Sequence, residues 1–314
     1  MTNLLTLTRM RVQLALRNKM FFFFSIVMPL GFFFLYSSVF AKGRPYGVAF
    51  LLGSVLGLNV MGSFWGLSAT LVTFREQGIL RRFHVTPATA ADMLISSILA
   101  NYALTLPTAA AEIFLARFLF HVHDLGNLLA VFLLVSIGTI SFGSLGLVIA
   151  SVTNTMQETQ VLNQLLWLPL IFLSGATIPF TALSHTVQHV ALFLPATYLV
   201  HGLRNAIFMG DGPGKVLVAL VSLLIWFLLT LFLSSQLFRW EPEAKIGRKA
   251  KFLVAATAIP FILLGVWEAR NGRVIAEEDR AQQKLERLEA ADKQAQPPQS
   301  SDKAKREATP EAPH

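Results

Sequence analysis

Apolar residues in this chain gather into long runs, with only short polar intervals between them. Runs at about 20–41, 46–74, 91–120, 128–152, 161–180 and 215–238 each match the roughly 20 residues a helix needs to cross a bilayer. They are too long and too continuous for the alternating strands of a membrane barrel. The pattern therefore predicts an all-α, polytopic membrane protein with six spans. The second run would reach roughly 43 Å at 1.5 Å per residue, so it tilts or projects beyond a hydrocarbon core of about 30 Å. It carries Gly53, Gly57, Gly62 and Gly66, two pairs at a spacing of four. Small residues so placed let helix backbones approach closely, within the chain or between subunits.

Three stretches depart from that pattern. Residues 1–19 set Thr2, Thr6, Arg9, Gln13 and Arg17 on one helical stripe with leucines around the rest, which predicts an amphipathic helix lying at the membrane interface. Residues 181–209 are too short and too broken, at Pro195 above all, to cross. Such pieces are tolerated at membrane depth when protein covers them, so they are expected to dip back from the outer side as a re-entrant region. Residues 252–267 are apolar but reach only about 24 Å as a helix and contain Pro260, which predicts a short seventh span or an interfacial segment. The chain from residue 270 is charged and expected to be largely disordered, with a solvated helix over 276–294. If the seventh span crosses, that tail lies outside.

Composition narrows the class. The chain has 314 residues, of which 54% are hydrophobic and only 14% charged. Soluble domains carry about 25% charged residues. Cysteine is absent, which removes disulfides, thiolate metal sites and thiol chemistry. Basic and acidic residues balance beyond residue 270, so the net charge of +8 sits in short loops beside apolar runs. That placement follows the positive-inside rule rather than a nucleic-acid surface. Arg9, Arg11, Arg17 and Lys19 put the N-terminus in the cytoplasm and outweigh Lys42 and Arg44 across the first span. The basic loop at 239–251 is cytoplasmic on the same grounds.

The polar intervals hold the candidate chemistry. Residues 74–94, FREQGILRRFHVTPATAADML, form a charged bridge between two spans, with Gly78 and Pro87 bounding a short helix. Glu112 sits toward the outer half of the third span, where an ionisable group is a transport-path candidate. His121 and His123 share one outer turn, and His185 and His189 stand four apart, but no third ligand accompanies either pair, so no metal site is expected. GDGPGKV at 210–216 imitates a phosphate loop yet has Met209 where glycine is required and Val216 where Ser or Thr is required. No paired carboxylates or nucleophile constellation points to an enzyme, and no cofactor is expected on this chain. If ATP drives it, another chain binds the ATP.

With those residues in view, the chain resembles the type-2 permease subunits of ATP-binding-cassette exporters, in their drug and lipid efflux branch. The likeness covers about residues 1–240. It rests most on FREQGILRRFHVTP, similar to that family's cytoplasmic coupling segment at 75–87, and on FLSGATIPFTALSHTVQHVALFLPATYLVHGLRNAIF, similar to its outer re-entrant region. Ser174, Gly175, Pro179, Pro195, Tyr198 and Arg204 are the matching positions in the second stretch. The resemblance implies a six-span core, a homodimer or heterodimer of permeases in a bacterial inner membrane, and two cytoplasmic ATPase subunits that hold the ATP and magnesium. It implies that Arg75, Glu76, Arg81 and Arg82 dock that partner by charge, while Ile79, Leu80 and Phe83 supply apolar contact. Spans two and five would line the dimer interface. The cargo is expected to be hydrophobic, a drug or lipid. The alternatives are a polysaccharide or lipid-linked glycan exporter and an ion-coupled secondary transporter, for which only Glu112 is a fair coupling residue. The run beyond Glu241 departs from the six-span pattern.

Overall fold

The computed structural model describes residues 2–17, 19, 23–79, 89–237 and 258–295, and every regular element among them is helical. In chain order the helices are α1 (Thr2–Arg17), α2 (Met28–Phe40) led by a π-helical turn at Phe23–Val27, α3 (Pro45–Met61), α4 (Ser63–Glu76), α5 (Ala90–Phe118), α6 (Leu128–Val152), α7 (Met156–Leu173), α8 (His185–Ala191), α9 (Pro195–Arg204), α10 (Leu217–Leu237), α11 (Ala258–Asn271) and α12 (Arg273–Ala295). Four described segments are long and apolar enough to cross a membrane: Pro45–Glu76, Ala91–Phe118, Leu128–Val152 and Leu217–Leu237. The first and fifth predicted runs correspond to shorter helices, Ser25–Phe40 and α7.

Local chemistry explains several helix ends. Thr89 opens α5 with a reciprocal capping box: its hydroxyl accepts from Asp92 N–H, and its own N–H donates to the Asp92 carboxylate. Asn127 caps α6 by accepting from Ala130 N–H, and Thr155 caps α7 by accepting from Glu158 N–H. Pro195 occupies the first turn of α9, where its missing N–H costs nothing. The second predicted run is not one straight rod. Gly62 N–H closes α3 on the Leu58 carbonyl, and Trp65 N–H then starts afresh on the Gly62 carbonyl. The fifth run starts earlier than its hydropathy indicates, at Met156, and stops at Leu173 before the turn at Ser174–Ile178.

The core gathers around α3 and α6, and small residues set its spacing. A methyl group on Gly146 would stand 2.6 Å from the Phe64 carbonyl oxygen, and one on Gly138 would meet Val60 and Leu199. Ser141 Oγ donates 2.7 Å to the Leu223 carbonyl, and Ser144 pairs with Thr230, so α6 and α10 are joined by hydroxyls as well as by close packing. Phe33, Leu52, Leu56, Phe64 and Phe142 are fully enclosed in this core.

The tail differs from its expectation. Residues 273–295 form one continuous helix whose Val274, Glu278 and Ala281 are buried against the bundle. Local periodicity gave no reason to expect this, because the groups that hold α12 are some 70 residues upstream and polar.

Candidate functional site

Three features of the bundle carry chemistry, and α3 and α4 run through all of them. At one end of the bundle, α4 finishes in Arg75 and Glu76. Arg75 is 4% exposed, and its Nη1 donates to the carbonyl oxygens of Ala150 and Thr153, both at 2.8 Å. Those are last-turn carbonyls of α6, which no later N–H of that helix can satisfy. Glu76 Oε1 accepts from Met156 N–H at 2.9 Å, at the opening of α7. Two adjacent side chains therefore clasp the outgoing end of α6 and the incoming end of α7. Further along, Asn163 and Ser68 exchange a buried pair of hydrogen bonds between α7 and α4.

Helix α1 docks at the same end. Arg11 is 9% exposed; its guanidinium lies 5.4 Å from the Phe74 ring centroid and donates to Met93 Sδ at 3.4 Å. Burial lowers its pKa to about 10, which still leaves it cationic at neutral pH. The polar stripe read from the sequence omitted Arg11, which sits on the inward face between Leu7 and Ala15. Of the expected docking residues, Arg75 is thus taken up inside the bundle, Glu76 is exposed but engaged with α7, and Ile79 is half-buried. Leu80, Arg81, Arg82 and Phe83 lie outside the described residues.

The opposite end is organised around Arg204, 2% exposed. Its Nη2 donates to Ser54 Oγ at 2.7 Å and to the Gly175 carbonyl at 2.8 Å, and its guanidinium stacks 4.5 Å above the Phe50 ring. Its Nη1 forms a buried ion pair with Glu278. The approach requires glycine on α3: a methyl group on Gly53 would come within 2.7 Å of the Arg204 backbone, and one on Gly57 within 2.8 Å of Val200 Cγ2. The first glycine pair is thus spent inside the chain, holding α9 against α3. Tyr198 is buried and donates 2.9 Å to the Leu192 carbonyl, fixing the turn that Pro195 begins. Ser174 is buried at the turn, where its Oγ accepts from Ala176 N–H, and Pro179 is exposed.

His201, missed in the sequence, belongs to the same cluster. Its Nε2 is 2.7 Å from Glu277 Oε2, which also accepts from Asn205 Nδ2 at 2.9 Å. Burial works against a charged imidazole, but Glu277 and Glu278 outweigh it and raise the pKa to about 9. Burial likewise works to raise Glu278, and the Arg204 charge together with His201 overcomes it, holding the carboxyl at about 2. The only sequence signal was an acidic pair in the tail and a His–Arg spacing of three on α9.

Between the two ends lies a cavity of about 440 Å³ lined by Ser25, Leu58, Asn59, Trp65, Asn101 and Thr105 among others. Asn59 Nδ2 donates 3.2 Å to Glu112 Oε1, so the fully buried Glu112 stands one hydrogen bond behind the cavity wall. Ser63, Trp65, Gly66 and Ala69 of α4 border this space. Helix α7 instead leaves Val161, Leu165, Leu168 and Phe172 exposed as one stripe. Of the two histidine pairs, His123 lines a pocket beside Phe208 and Lys284, and His189 Nδ1 is engaged with the His185 carbonyl. Lys215, in the imitation phosphate loop, pairs with Asp211 at 2.7 Å.

Known proteins are similar to parts of this chain in sequence. YbhS of Escherichia coli (strain K12), named "Probable multidrug ABC transporter permease", is 27% identical over 176 residues, 56% of this chain and 44% of YbhS. Nodulation protein J of Neorhizobium galegae is 24% identical over 194 residues, 61% of this chain and 73% of that protein. YvfS of Bacillus subtilis (strain 168), named as a transport permease, is 23% identical over 247 residues, 73% of this chain and 94% of YvfS. The chain thus spans less than half the length of YbhS. The profile of the ABC-2 type transporter family matches residues 2–208, from α1 to just beyond α9. With that match over most of its length, the chain belongs to the ABC-2 type transporter family.

Proposed function

We propose that this chain is the membrane permease subunit of an ABC exporter, paired with another permease copy and powered by separate ATP-binding subunits. The observation that carries the proposal is the clasp at the end of α4. Arg75 and Glu76 join α4 to both α6 and α7 immediately before the charged segment that resembles the family's coupling element. A displacement of residues 77–89 would reach three helices at once, and α1 through Arg11. The Arg75 end faces the cytoplasm together with the N-terminus, and the Arg204 end faces outward.

Arg81, Arg82 and Phe83 are then the partner-facing groups, while Arg75 holds the receiving framework rigid. The stripe Val161, Leu165, Leu168 and Phe172 is the surface for the second permease copy. The cargo is a lipophile, drug-like or lipid-like. Support comes from the mainly apolar surface of the cavity, walled by Trp65, Leu58 and Leu104 with the polar groups Ser25, Asn59, Ser63, Asn101 and Thr105, in the size range of drug-binding sites. The name of YbhS points the same way.

The test is reversal of Arg81 and Arg82 to glutamate in the full chain, expressed with its neighbouring ATPase. The variant should insert and fold, fail to retain the ATPase on purification, and lose ATP-dependent export. Retention of the ATPase and normal export would refute the docking assignment. Export driven by a proton gradient with no ATPase present would refute the exporter proposal as a whole.

A further inference from the structure

The family match ends at residue 208, yet the most densely bonded polar cluster at the Arg204 end is completed by residues 277–292. Helix α12 lays one continuous face on the bundle. Val274 and Ala281 are buried, and Ile275 and Leu285 pack on the core. Along it, Glu277 meets His201 and Asn205, Glu278 meets Arg204, Lys284 donates 2.6 Å to the Phe208 carbonyl, and Asp292 pairs with Arg44 at 3.1 Å. These partners come from the α2–α3 turn, from α9 and from the π-helical turn at Asn205–Met209 after it.

We propose that His201, Arg204 and Asn205 form a carboxylate-binding site at the outward end of the permease, whose ligand is an acidic helix, and that α12 is that ligand, a releasable strap across the outlet. Arg204 binds α3, the turn at Gly175 and α12 simultaneously. The re-entrant helix α9 therefore cannot move against α3 without stripping a buried cation of a partner. Withdrawing Glu278 leaves that charge uncompensated, which is the costly half of a broken buried pair. The strap is thus a two-position element, seated or withdrawn. Gly272 supplies the joint. It follows α11 with a φ of 60°, a conformation that a side chain disfavours, and its N–H and that of Val274 are both held by Glu268.

The strap also fixes the course of the chain. Helices α6 and α10 run side by side in the same direction, Ser141 against Leu223 and Ser144 against Thr230, so Leu237 lies toward the Arg75 end. Helix α12 lies at the Arg204 end. The chain must travel the length of the bundle between Leu237 and Gly272. Helix α11 presents Ile262, Leu263, Val266 and Trp267 outward while Gly265 abuts Phe193, as a lipid-facing helix packed on the re-entrant region would. A seventh crossing places the strap outside.

The chain contains no cysteine, so introduced pairs report cleanly. The full-length double variant Arg44→Cys/Asp292→Cys is joined with a short bis-thiosulfonate reagent added to intact cells, each arm forming a reducible disulfide with one cysteine and releasing sulfinate. Efficient joining, loss of export in the joined state and recovery on reduction are expected. Joined protein that exports at the unjoined rate would overturn the release step, and no joining in intact cells would overturn the outward placement. Hydrogen exchange of residues 273–295 in the full chain gives a readout independent of transport. Glu277→Gln/Glu278→Gln should lower protection of that helix roughly 100-fold or more while α3 and α6 remain protected. Unchanged protection would sink the carboxylate-site assignment. Because only the export arm rests on the proposed transport function, failure of export in every form, with joining and exchange as expected, would count against that function and not against the strap.

Discussion

Replacing Arg75 by methionine separates a structural cation from a docking one. Methionine keeps much of the apolar stem and removes the guanidinium. The Ala150 and Thr153 carbonyls, each now bonded at 2.8 Å, lose that donor at the end of α6. Hydrogen bonds to a charged group contribute about 1.5–3 kcal/mol each, and the two share one cation, so a net loss of about 3 kcal/mol is expected. At roughly 2–4 °C per kcal/mol for a chain of this order of size, the apparent melting temperature in detergent should fall by about 6–12 °C. The assay is thermal unfolding of purified permease without its ATPase, with Arg82→Met measured in parallel. Arg75→Met should lower the midpoint and Arg82→Met should not, whereas Arg82→Met should weaken ATPase retention at a temperature where both permeases are folded. A variant of Arg75 that melts like the parent but no longer retains the ATPase would refute the assignment of Arg75 to the framework.

Gly53→Ala should be worse tolerated than an ordinary glycine-to-alanine change in a helix: its methyl would stand 2.7 Å from the Arg204 backbone, and forcing the helices apart costs about 1–3 kcal/mol, read as a lowered melting midpoint. Asn163→Leu should cost about 1 kcal/mol by removing the paired bonds to Ser68, and a Ser68→Ala/Asn163→Leu double variant should show their coupling. Docking of α12 should depend on pH in a stated sense. His201 has a raised pKa of about 9, so its contribution is complete below the ordinary histidine value of about 6.5 and is lost as pH rises through 9. Glu278 is held at about 2, so its contribution is present above the ordinary carboxylate value of about 4.3 and is lost as pH falls toward 2. Protection of residues 273–295, corrected for intrinsic exchange, should therefore be greatest near pH 5–6.5 and reduced by pH 9; an increase toward pH 9 would contradict the pairing.

The helical membrane character was legible because lipid imposes a long-wavelength pattern, and 128–152 and 215–238 were read close to their observed limits for that reason. The broken region near Pro195 announced itself through residues that local chemistry restricts. What stayed hidden was polar and distant in sequence. Arg75 is as basic as Arg81 in the string, and nothing local says that its guanidinium finds Ala150. Arg11 hides in a helix whose stripe runs through Arg9 and Gln13, because an aromatic ring on α4 creates its site. The tail reads as solvated since Glu277 and Glu278 look like any charged pair until His201 and Arg204 are opposite them. Gly53 was singled out by spacing, but only the contact with Arg204 decides between packing inside the chain and packing between copies.

Gly53 and Arg75 stand on the same stretch, Pro45–Glu76, and the rise of a helix separates them by about 33 Å. One beam therefore touches the re-entrant cluster near its first end and carries the clasp at its other. On the proposed function, the backbone of that stretch, rather than a relay of rearranging side chains, is the conduit between the ATPase partner and the Arg204 cluster. The beam's two helices, α3 and α4, meet at Gly62. Counted from that junction, Glu76 is 14 residues away and Gly53 only nine. A lever pivoting there would return a wide sweep at Glu76 as a smaller shift at Arg204, a ratio set by where a single glycine falls.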